Sequence, residues 1–155
     1  MGLAETHSAL TCFDPTHENE ALQFLDLMYK VFPSNPKEDP NFNYTYFSLP
    51  LRYEGLIYLN LNQPSRAWET LAQADKYIPT LIVPDRVELT LRQTKVLLAM
   101  GKLEQSKKYL ESAVASAKAL GSMLRRNESY DIHQQMLVKW PHEQQVKELA
   151  DLFVV

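Results

Sequence analysis

The stretch EGLIYLNLNQPSRAWETLAQADKYIP, Glu54–Pro79, places small residues and a proline at equal intervals. Twelve residues separate Gly55 from Ala67, and twelve more separate Ala67 from Pro79. Apolar residues recur at helical spacing on both sides of residues 62–64, where a polar, proline-containing break interrupts them. The stretch therefore predicts a helix, a tight turn and a second helix that packs antiparallel to the first.

Two prolines mark the predicted ends of the second helix. Pro64 suits the first helical turn, where its missing N–H group would have no partner in any case. Pro79 is predicted to stop the helix, because proline interrupts the hydrogen-bond pattern of a helix interior.

The same interval occurs earlier in the chain, and a degenerate copy follows later. Ala9, Ala21 and Pro33 are again twelve residues apart. The later copy is marked by a capping-box-like pair and a turn glycine, namely Asp85, Glu88 and Gly101. The predicted organisation is three repeats over roughly 2–33, 48–79 and 87–120, followed by terminal capping helices over 122–153.

Composition limits the class of protein. The chain has 155 residues, of which 45% are hydrophobic and 23% charged, as expected for one globular domain. A formal charge of −3 predicts no direct nucleic acid contact, and Arg125-Arg126 is interpreted as a solvated helix start. No apolar run approaches the ~18 residues of a membrane span. With one cysteine and no secretory signal pattern, the chain is expected to be cytoplasmic.

The sequence shows no pattern typical of catalysis or metal binding. The four glycines are too far apart for a phosphate-binding loop, and the four histidines lack metal-site spacing. Cys12 would need His7 or His17 as its base, and no residue is recognised that would orient that base. The expectation is therefore no enzyme activity, no cofactor and no metal, with a cysteine-dependent enzyme as the weakest alternative.

The repeated spacing resembles that of tetratricopeptide (TPR) repeats, which are helix hairpins of about 34 residues. Small residues at these positions let paired helices approach closely, and larger ones fill the groove between them. The resemblance implies an all-α fold: one TPR domain over 1–155, forming a superhelix of about three antiparallel hairpins plus capping helices. In such arrays the first helix of each hairpin lines a concave face that binds partners.

Registry with the repeat pattern predicts the residues that line this face. They include several cations and no clear anion except Glu88 at the edge, which favours an extended peptide with acidic residues or a free carboxylate. In an alternative that stays open, Arg52 and Arg92 pair with nearby carboxylates and only solvate the surface. The side chains predicted to contact the ligand are Arg52, Tyr53, Asn60, Arg92 and Lys95.

A second resemblance covers almost the whole chain. DPNFNYTYFSL, LRYEGLIYLNLNQPSRAWETLAQ, MGKLEQSKKYLESAVASAKALGS and YDIHQQMLVKWPHEQQVKELADLF together resemble the C-terminal TPR region of bacterial Xre-type helix-turn-helix transcriptional regulators. This resemblance implies a sensor or dimerisation module, and related quorum-sensing regulators bind short peptides with this region. The sequence departs from the family in showing no helix-turn-helix.

The rival hypothesis is a structural one. The array would mediate self-association, as a homo-oligomer or assembly scaffold, and bind no small ligand. The predicted contact surface in that case is the apolar C-terminal group Leu149, Leu152, Phe153, Val154 and Val155.

Overall fold

The computed structural model describes residues 17–31 and 49–154, and all regular structure within them is helical. The all-α prediction is thus confirmed for these residues, while the superhelical TPR arrangement stays a prediction. The predicted residues His7, Ala9, Cys12, Pro33 and Val155 lie outside the described residues. The helices are α1 (Glu18–Val31), α2 (Leu49–Asn60), α3 (Pro64–Ala74), α4 (Val83–Ala99), α5 (Leu103–Ala119), α6 (Met123–Lys139) and α7 (Gln144–Glu148), with 3-10 helices at Asp75–Thr80 and Leu149–Phe153.

The chain forms two compact units, Met1–Leu81 and Ile82–Val155. The described part of the first unit holds α1 to α3, and the second unit holds α4 to α7. The boundary falls in the apolar segment between the second and third predicted repeats. None of the described helices has the length and hydropathy needed to cross a bilayer.

Three helix connections share one turn geometry. Asn62, Gly101 and Gly121 each have a positive φ, of 57°, 73° and 64°, and the next helix begins two residues later. In each turn the following N–H donates to a carbonyl five residues back, which satisfies a carbonyl at the helix end. These bonds join Gln63 to Tyr58, Lys102 to Leu97 and Ser122 to Ala117 at 2.8, 2.9 and 3.0 Å.

The close approach of α2 and α3 explains the position of Gly55. A Cβ atom at this residue would lie 2.5 Å from two side-chain carbons of the fully buried Leu71. The predicted role of small residues in bringing paired helices together therefore has a direct structural counterpart here. On the other side of α2, a smaller core joins it to α1 through Ala21, Leu25 and Ile57.

The second unit has one larger core, to which α4, α5, α6 and the terminal segment 144–153 all contribute. His133, on α6, is buried within this packing. Its Nε2 atom is 2.9 Å from the Val146 carbonyl, and its ring stacks on Phe153 with centroids 5.5 Å apart. The buried members of the core are Val87, Leu91, Leu98, Leu110, Ala113, Val114, Ala117, Ile132, Met136, Val146 and Leu149.

The sequence-based helix boundaries near residue 80 are wrong. The α-helix α3 ends at Ala74, and Pro79 lies inside a 3-10 helix that begins at Asp75. A proline ring clashes with the carbonyl four residues earlier, which here belongs to Asp75, so the chain leaves α-geometry at that residue.

The next helix, α4, begins at Val83, so the capping box expected from Asp85 does not form. The residue at the N-cap position is Ile82, and Pro84 occupies the first turn. Proline is well suited to the first turn, and its position determines where this helix begins. The closing helix predicted up to Phe153 is instead the five-residue α7 followed by a 3-10 helix.

Candidate peptide-binding face

Helices α4 and α6 run side by side in the same direction, as polar contacts near both ends of the pair show. Near the start of α6, Nη2 of Arg125 lies 2.8 Å from Oε2 of Glu88 in the first half of α4. At the end of α6, Nζ of Lys139 donates to the carbonyls of Leu98 and Ala99 at 2.7 and 3.3 Å. A lysine at this place also complements the negative end of the α4 dipole.

An ion-pair network crosses the surface shared by these helices, which we call the α4–α6 face and define by Glu88, Arg92, Lys95, Arg125 and Glu128. The two oxygens of Glu88 contact different guanidinium groups, those of Arg92 and Arg125. Nη1 of Arg125 donates to Glu128 at 2.7 Å, and its Nη2 donates to Glu88. Two carboxylates thus balance two guanidinium groups.

The network stabilises the charge of the Arg125 guanidinium against the effect of its burial. Burial lowers the pKa of Arg125, but the hydrogen bond to Glu128 and the charge of Glu88 outweigh this effect and raise the pKa above its ordinary value. The interpretation of Arg125 as a solvated residue is therefore wrong, since its side chain is largely buried and paired with two carboxylates.

The two predicted contact residues on α4 have different surroundings. Arg92 forms an ion pair with Glu88, which is the pairing part of the alternative left open for that arginine, and its role as a ligand contact stays a prediction. Lys95, three residues further along, is half-buried and makes no ion pair within residues 17–31 and 49–154. Two apolar residues of α6, Leu124 and Val138, are 62% and 83% exposed. Their spacing of fourteen residues places both on the same stripe of the helix.

The other three predicted contact residues lie on α2, in the first unit. Arg52 is only 2% exposed, which leaves almost none of its surface for a ligand. Tyr53 packs against the core between α1 and α2, and Asn60 is half-buried at the end of α2. The five predicted residues are therefore divided between two units, and the α4–α6 face contains Arg92 and Lys95.

The first unit carries a polar cluster that contains Tyr29, Glu54, Tyr58 and Arg66. The hydroxyl of Tyr29 donates to Glu54 at 2.6 Å. Burial, the hydrogen bond to Glu54 and the Glu54 charge together raise the pKa of Tyr29 well above its ordinary value. Nearby, Arg66 donates to the Tyr58 hydroxyl at 2.9 Å, and its guanidinium lies 4.1 Å from the Tyr58 ring centroid.

Sequence reasoning missed Arg125 and Glu128 as parts of a polar network. Their spacing of three residues on a helix would have suggested a mutual ion pair. The pair between Arg125 and Glu88 spans 37 positions and depends on how α4 and α6 align, for which the sequence carries no local signal.

No family model, curated protein or solved structure matches the chain. Within the described residues, no group of three or more His, Cys, Asp or Glu side chains is arranged to hold a metal ion. The remaining sequence candidates for chemistry, Cys12 and His7, lie outside those residues.

Proposed function

We propose that this chain is a protein- or peptide-binding module of TPR-like hairpins and that the α4–α6 face is its binding surface. The observation that carries the proposal is the fixed, parallel pairing of α4 and α6 beside Lys95, a half-buried cation without an ion pair among the described residues. We expect the exposed Leu124 and Val138 of α6 to add apolar contact points for a ligand.

The dimensions of the face suit a short extended peptide. Helices α4 and α6 each have 17 residues, which corresponds to a length of about 25 Å. An extended chain rises about 3.3 Å per residue, so roughly seven to eight residues would lie along it. Since contacts at both ends fix the two helices, little ordering of the protein would oppose binding.

The charge of the face refines the expected ligand. Among the five residues that define the face, two carboxylates stand with two guanidinium groups and Lys95, which gives this set one net positive charge. We expect a ligand with apolar side chains for Leu124 and Val138 and a carboxylate for Lys95. The sequence analysis expected Glu88 as the only clear anion of the lining, and Glu128 adds a second anion to this face.

The biological setting proposed for the module is the regulatory part of a bacterial transcriptional regulator, as sensor or dimerisation region. This part of the proposal rests on the sequence resemblance alone. A short signalling peptide would be the corresponding ligand.

Selection of random octapeptides displayed on phage against the purified chain tests the binding function. Peptides enriched on the wild-type chain should lose at least half of their binding to Lys95→Glu. The matched control is Lys108→Glu, which makes the same charge change at an exposed position of α5 outside the face. Equal loss with both variants, or no enrichment at all, would contradict the proposal.

Self-association is the second candidate function. The exposed apolar residues of α6, Leu124 and Val138, favour it at a different surface from the predicted C-terminal group. In the C-terminal group predicted for this role, Leu149 is 2% exposed and Leu152 and Phe153 pack on the core, whereas Val154 is 69% exposed. Light scattering at two concentrations should therefore show a dimer sensitive to Val138→Glu if the chain is an assembly scaffold.

A further inference from the structure

Building on the proposed function, we infer that Glu128 competes with the ligand for the site: a carboxylate of a bound acidic peptide displaces Glu128 from Nη1 of Arg125, while Glu88 stays on Nη2. The α4–α6 face would then hold an acidic side chain of the ligand at Arg125 in addition to the contact at Lys95. The ligand would therefore be an acidic peptide, and Glu128 would lower its affinity for the face.

The surroundings of the two carboxylates show which one exchanges. The side chain of Glu128 is 34% exposed, compared with 19% for Glu88, and Glu128 contacts Arg125 from the same helix. Glu88 bridges two guanidinium groups from two helices, so its release would break two ion pairs of partly buried side chains, whereas the release of Glu128 breaks its one pair with Arg125. Glu128 can turn into solvent at little cost, because its partner is immediately paired again.

The geometry of Arg125 makes the exchange possible. Each of its two terminal nitrogens contacts a different carboxylate, so removing Glu128 frees one complete donor position without disturbing the bond to Glu88. An incoming carboxylate finds a guanidinium group already oriented by Glu88, and charge-assisted bonds of this kind are among the stronger hydrogen bonds in proteins. The number of ion pairs is the same before and after binding.

The substitution Glu128→Gln tests the inference, with Asp131→Asn as its matched control. Asp131 is exposed on the same helix and makes no contact with Arg125 within the described residues. Its replacement by asparagine removes the same charge as Glu128→Gln. The probe is the blocked peptide acetyl-Leu-Glu-Leu-Glu-Leu-amide, and its analogue with both glutamates replaced by glutamine controls for the carboxylates. Binding is followed by NMR through the arginine side-chain Nε–H signals of the full chain.

The expected result is that Glu128→Gln lowers the Kd of the acidic probe about threefold to fivefold, as suits the loss of one partly exposed competing charge. Asp131→Asn should change the Kd by less than half that factor, and the glutamine peptide should bind all variants weakly. Unchanged or weaker binding of the acidic probe to Glu128→Gln would overturn the competition and leave the binding face standing. Failure of the probe to shift any arginine signal, even in Glu128→Gln, would overturn the proposed face as well.

Discussion

At the scale of single residues, two glycines of this chain are constrained by different physics. Gly55 has no room for a side chain, since its Cβ position is occupied by carbons of Leu71. Gly101 has ample room, since no atom lies within 4 Å of the position that a Cβ atom would take. Its φ of +73°, however, is a conformation that other residues rarely adopt. Glycine is required at position 55 by the packing between helices and at position 101 by the backbone conformation of the turn.

Replacing Gly55 with alanine should destabilise the chain by about 1–3 kcal/mol, the usual cost of forcing an extra carbon into a packed interior. Chemical unfolding followed by circular dichroism measures the loss. Adding Leu71→Ala removes the clash, so the double variant should lose clearly less than the sum of the two single changes. Additive losses would show that the two side chains do not meet as the structure places them.

Gly101→Ala serves as a contrast, because its cost comes from the backbone alone. We expect a loss of about 1–2 kcal/mol, the penalty for a left-handed conformation in a residue with a Cβ atom. No second-site truncation should relieve this loss, since nothing packs against the site.

The hydrogen bond between Tyr29 and Glu54 predicts a pH dependence at the alkaline end. Because the folded chain raises the pKa of Tyr29, this residue favours folding fully below its unfolded pKa of about 10. As the pH rises above 10, the unfolded chain loses the proton first, so stability falls. Urea midpoints measured between pH 8 and 11 should show this decline, and Tyr29→Phe should flatten it. An equal decline in Tyr29→Phe would assign the effect to other groups.

At the scale of helices, the sequence predicts the turns between helices but not the exact residues at which some helices begin and end. The turns at Asn62 and Gly101 can be predicted from the sequence, because turn-forming residues there interrupt the helical spacing of apolar residues. The boundaries around Pro79 and Pro84 are not predicted correctly, because Pro79 acts on the carbonyl four residues before it and Pro84 takes a place in the first turn of α4.

The candidate site was predictable only in part, for a related reason. The positions of Arg92 and Lys95 follow from helical registry, because that is a local property. The pairing of Glu88 with Arg125 requires the alignment of two helices separated by a third, and the burial of Arg52 requires knowledge of what packs around α2. Neither is encoded in any spacing within the chain.

The parallel pairing of α4 and α6 leads to a prediction at this scale. Lys139→Met keeps the length and apolar part of the side chain but removes the donor to the α4 carbonyls. We expect a loss of about 0.5–1.5 kcal/mol, the net value of a typical hydrogen bond. Amide hydrogen exchange should also accelerate in the last turn of α4.

The matched control is Lys147→Met, an exposed lysine on α7 with no contact to α4 among the described residues. Its effect on stability should stay within about 0.5 kcal/mol, as for surface changes in general. Faster exchange along all of α4 in Lys139→Met would mean that the lysine holds the entire helix, and unchanged exchange would mean that it holds none of it.

At the scale of the whole molecule, the division into Met1–Leu81 and Ile82–Val155 separates the core of α4 to α7 from the rest of the chain. Every buried member of that core lies between Val87 and Leu149, and the partly buried residues packed on it extend only to Phe153. The α4–α6 face and its ion pairs belong to the same unit. The proposed binding surface and the core that supports it are therefore contained in one segment of the sequence.

This containment predicts that a fragment of residues 82–155 folds by itself. Its far-ultraviolet circular dichroism should be helical and its urea unfolding cooperative, because the fragment keeps the whole of the core just described. Ile132→Ala, at a fully buried position, should destabilise the fragment by about 2–5 kcal/mol, whereas Gln134→Ala, at an exposed position of the same helix, should have little effect. A helical fragment that unfolds without cooperativity, or one indifferent to Ile132→Ala, would show that the core of this unit depends on the first unit.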